Sequence, residues 1–550
     1  MNIVKDRPLY FLVTAGILAL LVSVIFYLTY PINIGQSDNL TYVNMIIYGT
    51  SDLMHSSGYP AAVYLMTHYL LPVFPRVELT REHPSGFSGD WDRTLQKVQL
   101  LLHLALFSIS IVLCAKVFSK SVAAILALGW GCNVMFVSNV NATAPEWLDG
   151  HALILSLLMH AYARTLTARK KVLVYCLAAG VFAIAYLIKP NSLLFGIPLF
   201  ALLLFDKTGW RVKTLQMACS AAIFLLLTSA YARTYHYQST GTRQLNFDHA
   251  WVLTAALPED YVFASPERLG INSLRWAVLS RVTPPDYFRA GRVENISYGP
   301  PIDIHKLYDE KLEYVSRMSR EELIQFVKGT PLPAGFSQWA SAVPLYYYYG
   351  LEKTDALGIQ VYMESLRSHS WFHIRKVAGS LGGFFLNGLK DIQTFPTFAD
   401  PIGYKFLPPD FSSSVLGNSR IVPPPDVDPY FVQYYNPRNA VAFYGVKVVE
   451  AVNAFSSASF FYIVLNIIAV FGLFKLRSDL DRITAFSLLA ALLAFISASG
   501  ILLGLRQKEL IAMTPVYFLF LSIGLLSACG PRPRGARLPA WFARFRNPGD

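Results

Sequence analysis

Leu9 to Tyr30 reads LYFLVTAGILALLVSVIFYLTY, a run without one charged side chain. A helix rises 1.5 Å per residue, so about 20 apolar residues cross the roughly 30 Å hydrocarbon core of a bilayer. Only a closed backbone hydrogen-bond ladder is tolerated there, so the run predicts a transmembrane helix. It is too long for a signal-peptide core and no small-residue cleavage pattern follows, so it is expected to stay as an anchor. The pattern recurs near residues 98–116, 121–139, 145–163, 172–188, 191–206, 214–232, 457–475, 484–504 and 510–529. That predicts an all-α polytopic membrane protein of about ten transmembrane helices, with a partly helical outer, periplasmic subdomain. Composition agrees: the 550 residues are 54% hydrophobic and 15% charged, with a mean hydropathy of +0.39.

The formal charge of +12 does not point to nucleic acid, because the basic residues are scattered through short loops and form no long run. Their distribution reads instead as topology. Lys5, Arg7, Lys116, Lys120, Arg164, Arg169, Lys170, Lys171, Lys207, Arg211, Lys213, Lys475, Arg477 and Arg482 fall on one side with the Arg532 to Arg546 tail. That side is expected to be cytoplasmic and to hold both termini. The chain divides into an N-terminal transmembrane module, 1–232, with a first outer loop at 31–97; an outer segment, 233–456; and a C-terminal transmembrane module with a basic tail, 457–550. The five cysteines all fall in apolar spans, so neither a disulfide framework nor a cysteine metal site is expected.

A structureless outer segment of that length is improbable. Ser319 stands as a cap before Glu321 and Glu322, and Gly358 to Lys390 shows two periodic, proline-free halves. Ser368 to Leu386 is expected to lie on the membrane surface through Trp371, Phe372, Phe384 and Phe385.

Candidate chemistry collects at the predicted outer boundary. Asp38, in Gly35-Gln36-Ser37-Asp38-Asn39, is a carboxylate where the chain leaves the bilayer, and ionisable groups at that depth are costly enough to mark sites. The competing reading is a helix cap. Arg506 is the candidate phosphate ligand, with Lys189 and Lys508 beside it, since a guanidinium binds phosphate oxygens as a fork. The alternative for all three is snorkelling to lipid headgroups. Glu146 and Asp149 lie one helical turn apart, near His151, and read either as substrate ligands or as charges suited to a helix N-terminus. His55 and Tyr59 flank Ser56-Ser57-Gly58 and are further substrate-binding candidates. Asp90-Trp91-Asp92, Asp479-Leu480-Asp481 and Asp426-Val427-Asp428 carry the spacing of a metal motif, but three-letter acidic motifs recur by chance, and neither a metal nor another cofactor is assigned.

The layout resembles the GT-C superfamily of integral membrane glycosyltransferases, which use polyprenyl-phosphate-linked sugars. The resemblance rests on Asp38 with Gly58-Tyr59-Pro60 in the first outer loop and on Ala144-Pro145-Glu146-Trp147 before the fourth span. It rests also on Arg506-Gln507-Lys508-Glu509 running into Thr514-Pro515-Val516-Tyr517. It covers roughly the seven N-terminal spans and the last two; the outer segment is not diagnostic. It implies sugar transfer to a hydroxyl of a cell-envelope glycan, glycolipid or protein at the outer face of a bacterial cytoplasmic membrane. Such a transfer needs a base for the acceptor hydroxyl, here Asp38, and positive charge for the leaving phosphate. One base and no evident nucleophile point to direct displacement. The rivals are a ligase or polymerase acting on lipid-pyrophosphate glycans, and a glycolipid transporter, for which polar residues should run along the membrane path.

Overall fold

The computed structural model describes residues 3–29, 42, 45–46, 58–66, 89–140, 144–241, 243, 245, 249–258, 261–283, 310–333, 341–387, 448, 451–452, 459–476, 478–502 and 507–529. Every regular element among them is helical. In chain order the bundle contributes α1 (Ile3–Thr29), α2 (Gly58–Leu65), α3 (Gly89–Val117), α4 (Lys120–Gly131), α5 (Val134–Val140), α6 (Glu146–Ala163) and α7 (Ala168–Ile188). After a 3-10 turn (Pro190–Phe195) come α8 (Gly196–Leu204) and α9 (Trp210–Tyr231). The middle of the chain forms α10 (His249–Ala255), α11 (Ile271–Val282), α12 (Glu310–Arg317), α13 (Arg320–Gly329), α14 (Ala342–Tyr349), α15 (Leu351–Ser368) and α16 (Ser370–Gly382). It closes with α17 (Ser459–Leu473), α18 (Asp479–Leu502) and α19 (Gln507–Cys529).

Among the described residues six helices are long and apolar enough to cross a membrane, or seven if α4 and α5 are one bent span. The other spans expected from sequence correspond to real helices that fall short. Pro190–Leu204 and Tyr462–Leu473 are too short, and α6 has the length but carries Glu146, Asp149, His151 and His160. The expected 121–139 span bends by 67°. Its cause is local: Asn133 Oδ1 accepts the Phe136 amide at 2.9 Å and so caps a new helix where α4 ends.

Small residues let the helices approach. A Cβ on Gly472 would lie 1.9 Å from the Gly524 carbonyl oxygen, so α17 and α19 meet backbone to backbone. Gly129 of α4 faces the Phe518 ring, and Gly150 of α6 faces the Ala512 carbonyl. The first and last helices therefore share one core, with Trp130, Trp147, Phe136, Phe495 and Tyr517 all buried in it.

A second core forms between residues 250 and 362, around Trp276, Tyr346, Tyr349 and Leu323. Ser319 caps α13 in a capping box with Glu322, as the spacing predicts. The Glu364 carboxylate accepts from the amides of Asn272 and Ser273, at 3.0 and 2.9 Å, and from both their side chains, tying α15 to the start of α11. The periodic stretch breaks at His369, between α15 and α16. Of the aromatic residues expected to hold Ser368 to Leu386 on the membrane surface, Trp371 is exposed and Phe384 is not. Phe384 is buried with its ring 5.1 Å from that of Tyr517, because α16 runs into the bundle beside α18.

A buried polar cluster where α6 begins

The turn after α7 decides the geometry. Lys189 is the last capping residue of α7, in extended conformation (φ −149°, ψ 109°), and Pro190 then starts the 3-10 turn without needing an amide hydrogen. That short reversal aims two side chains at the first turn of α6. Lys189 Nζ meets Glu146 Oε1 at 3.3 Å, and Ser192 Oγ reaches both Asp149 oxygens at 2.7 and 2.8 Å. Both carboxylates are buried. They sit at a helix N-terminus, where the macrodipole favours negative charge. Among the described residues Glu146 Oε2 has no hydrogen-bond partner. With two carboxylates against one ammonium, any anion held by Lys189 must share it with Glu146.

Gly58 brings α2 onto this corner. A Cβ there would lie 2.4 Å from the Leu187 carbonyl carbon and 2.6 Å from the Ile188 nitrogen, so only glycine allows α2 to rest on the last turn of α7. Tyr59 is thereby driven into the bundle, edge-on to Trp147 with centroids 6.4 Å apart and to Tyr42 at 5.9 Å. Its hydroxyl donates to Gln99 Oε1, and Gln99 Nε2 donates to the Val140 carbonyl at 2.8 Å. Burial, with the Glu146 charge adding to it, pushes the Tyr59 phenol up, so it remains a neutral donor.

Four of the sequence candidates, Tyr59, Glu146, Asp149 and Lys189, thus come together from α2, α6 and the turn after α7. Asp38, His55 and Arg506 lie outside the described residues, and Lys508 stands in the first turn of α19 with its side chain outside the description. His151 does not join the cluster. Two residues on from Asp149 is about 200° around a helix, and its Nε2 faces His103 Nδ1 of α3 at 2.8 Å. Asp90 and Asp92 stand in the first turn of α3, and Asp426 and Asp428 lie outside the described residues. Asp481 is at the start of α18, its amide donating to Ser478 Oγ at 2.9 Å. Among the described residues no group of three or more potential ligands is arranged for a metal ion.

Sequence reasoning passed over Ser192, Gln99 and His103. Ser192 had a signal in the Lys189-Pro190-Asn191 turn, which throws the next side chain back toward α6. His103 had a stronger one, being an ionisable residue deep in an apolar span. No protein family, curated protein or solved structure matches this chain. Its class rests on its own architecture: an all-helical chain with several helices able to span a membrane.

Proposed function

We propose that the chain is a membrane glycosyltransferase of GT-C type. It moves a monosaccharide from a polyprenyl-phosphate donor to a hydroxyl of a cell-envelope glycan, glycolipid or protein. The reaction runs at the periplasmic face of a bacterial cytoplasmic membrane, with both termini cytoplasmic. The observation that carries this reading is the buried carboxylate cluster of Glu146 and Asp149, held by Lys189 and Ser192 at the end of the bundle where α6 starts. Asp38 is the base in this scheme. Its place in the chain supports this: Asp38 precedes by four residues Tyr42, whose ring packs on Tyr59. Arg506 immediately precedes α19, whose Ala512 carbonyl packs on Gly150 of α6, and it takes the donor phosphate with Lys508. Lys189 orients Glu146 in this scheme, and Glu146, Asp149, Tyr59 and His55 are its substrate-binding residues.

One observation favours the transporter instead. Buried polar residues run along all of α6, from Glu146 and Asp149 through His151 and Ser156 to His160, as a membrane path requires.

A transfer assay in membranes separates the two. A panel of polyprenyl-phosphate sugars is offered to native protein and to Asp38→Asn at matched expression. Product formation, reduced by about 10²-fold or more in the variant, supports the glycosyltransferase. Absence of consumption of every donor by well-folded native protein sinks it.

A further inference from the structure

His103 and His151 are both essentially inaccessible and lie in the middle of the bundle, on α3 and α6. His151 Nε2 and His103 Nδ1 are 2.8 Å apart, and His103 Nε2 is 3.0 Å from Ser23 Oγ of α1. Ser23 Oγ in turn donates to the Ala19 carbonyl at 3.2 Å. This last bond fixes the sense of the whole chain. The serine proton is committed to the carbonyl, so Ser23 accepts from His103 Nε2–H. A neutral His103 protonated at Nε2 has a bare Nδ1, which accepts from His151 Nε2–H. His151 Nδ1 is then a lone pair, and it has no partner among the described residues. The opposite sense would bury an orphaned N–H there, which costs more.

The two ends of the chain differ. At the α1 end Ser23 and His103 line a cleft with Tyr27, Gln96, Phe26 and Val140. It has room for about one water molecule and several polar groups to hold one. At the other end the His151 ring lies 4.8 Å, centroid to centroid, from Trp130, whose indole Nε1–H is also buried without a partner among the described residues. Burying two imidazoles in a membrane bundle is expensive, and packing alone would have been served by Phe or Leu.

We propose that Ser23, His103 and His151 form a proton relay between the interior of the bundle and the cleft bounded by α1 and α3. A proton taken up at His151 Nδ1 releases Nε2–H to His103 Nδ1. His103 then releases its own Nε2–H to Ser23 Oγ, whose hydroxyl proton leaves the Ala19 carbonyl for water in the cleft. One proton enters and one leaves, both imidazoles end as Nδ1–H tautomers, and a proton returning from the cleft along the same bonds restores the Nε2–H forms. The relay is independent of the sugar-transfer reading, because none of its members belongs to the Glu146 cluster.

The test uses full-length protein labelled with ¹⁵N-histidine in lipid bilayers, read by magic-angle-spinning NMR. His160 serves as internal reference, being buried on the same helix with its Nδ1 on the Ser156 carbonyl at 2.8 Å. The expected result is Nε2–H tautomers at His103 and His151. Their ring protons should exchange with D₂O, and Ser23→Ala should slow that exchange by about tenfold or more while His160 is unchanged. His103→Phe should abolish exchange at His151; unchanged His160 signals show that either variant is folded. An Nδ1–H tautomer at His151, or exchange insensitive to Ser23→Ala in a folded variant, would overturn the relay.

Discussion

Replacing Lys189 by Met tests whether the ion pair at the start of α6 has the energetic role its geometry implies. The Glu146 side chain is only 6% exposed and that of Lys189 16%, and they meet at 3.3 Å. Since Glu146 Oε2 has no hydrogen bond among the described residues, loss of the ammonium leaves a buried carboxylate that none of them compensates at either oxygen. Removing one member of a buried pair typically costs about 3–5 kcal/mol, and the partial exposure of Lys189 places this case near about 3 kcal/mol. That corresponds to a factor of about 150 in the folded-to-unfolded ratio. Replacing both members by neutral residues, Glu146→Gln with Lys189→Met, removes the uncompensated charge and should recover most of the loss. Recovery should be incomplete because the Lys189 charge also acts on Asp149. The assay is the denaturant midpoint of purified protein in one detergent, followed by tryptophan fluorescence. The expected order is native, double variant, single variant. A Lys189→Met protein as stable as native, or a double variant weaker than the single, refutes the reasoning.

Other perturbations follow from close contacts elsewhere. Gly58→Val drives a side chain into the Leu187–Ile188 backbone; it should cost about 1–3 kcal/mol and raise hydrogen exchange in α2 and at the end of α7. Glu364→Ala strips the start of α11 of all four bonds from Asn272 and Ser273. A loss of about 2–3 kcal/mol is expected, seen as faster exchange at residues 272–276 while the bundle is unaffected. Burial first, then the nearby Lys376 and His369, holds the His373 imidazole below its ordinary value. Its neutral ring pairs with Ser365 Oγ at 3.1 Å. A lowered folded value means that this contribution is complete above the unfolded value near 6.5 and is lost as pH falls from there through the lower folded value. The α15–α16 corner should therefore loosen as pH falls below about 6.5. His373→Gln should flatten that dependence in hydrogen exchange at residues 365–380.

Much of this architecture was legible one segment at a time. Leu9–Tyr30 shows its helix because uncharged runs of that length have few other stable forms in a bilayer, and the Ser319 capping box is readable from four residues. Local signals also found Glu146, Asp149, Lys189 and Tyr59. They did not find their partners. Ser192 lies 43 residues from Asp149 in the chain, and His103 lies 48 from His151. No window of sequence spans such separations. Nor did hydropathy reveal that residues 121–139 bend at Asn133, since a side-chain cap interrupts the helix without changing its apolar character.

The sequence by itself determined that the chain is helical and apolar enough for a membrane, because backbone satisfaction and hydropathy are properties of single segments. Tertiary structure alone decided that the first and last helices make one bundle, through glycines whose missing Cβ atoms admit a neighbouring backbone or ring. It alone turned Asp149 toward Ser192 and His151 toward His103. Two residues of helix separate those side chains by about 200°, and which neighbour each one meets depends on how whole helices pack.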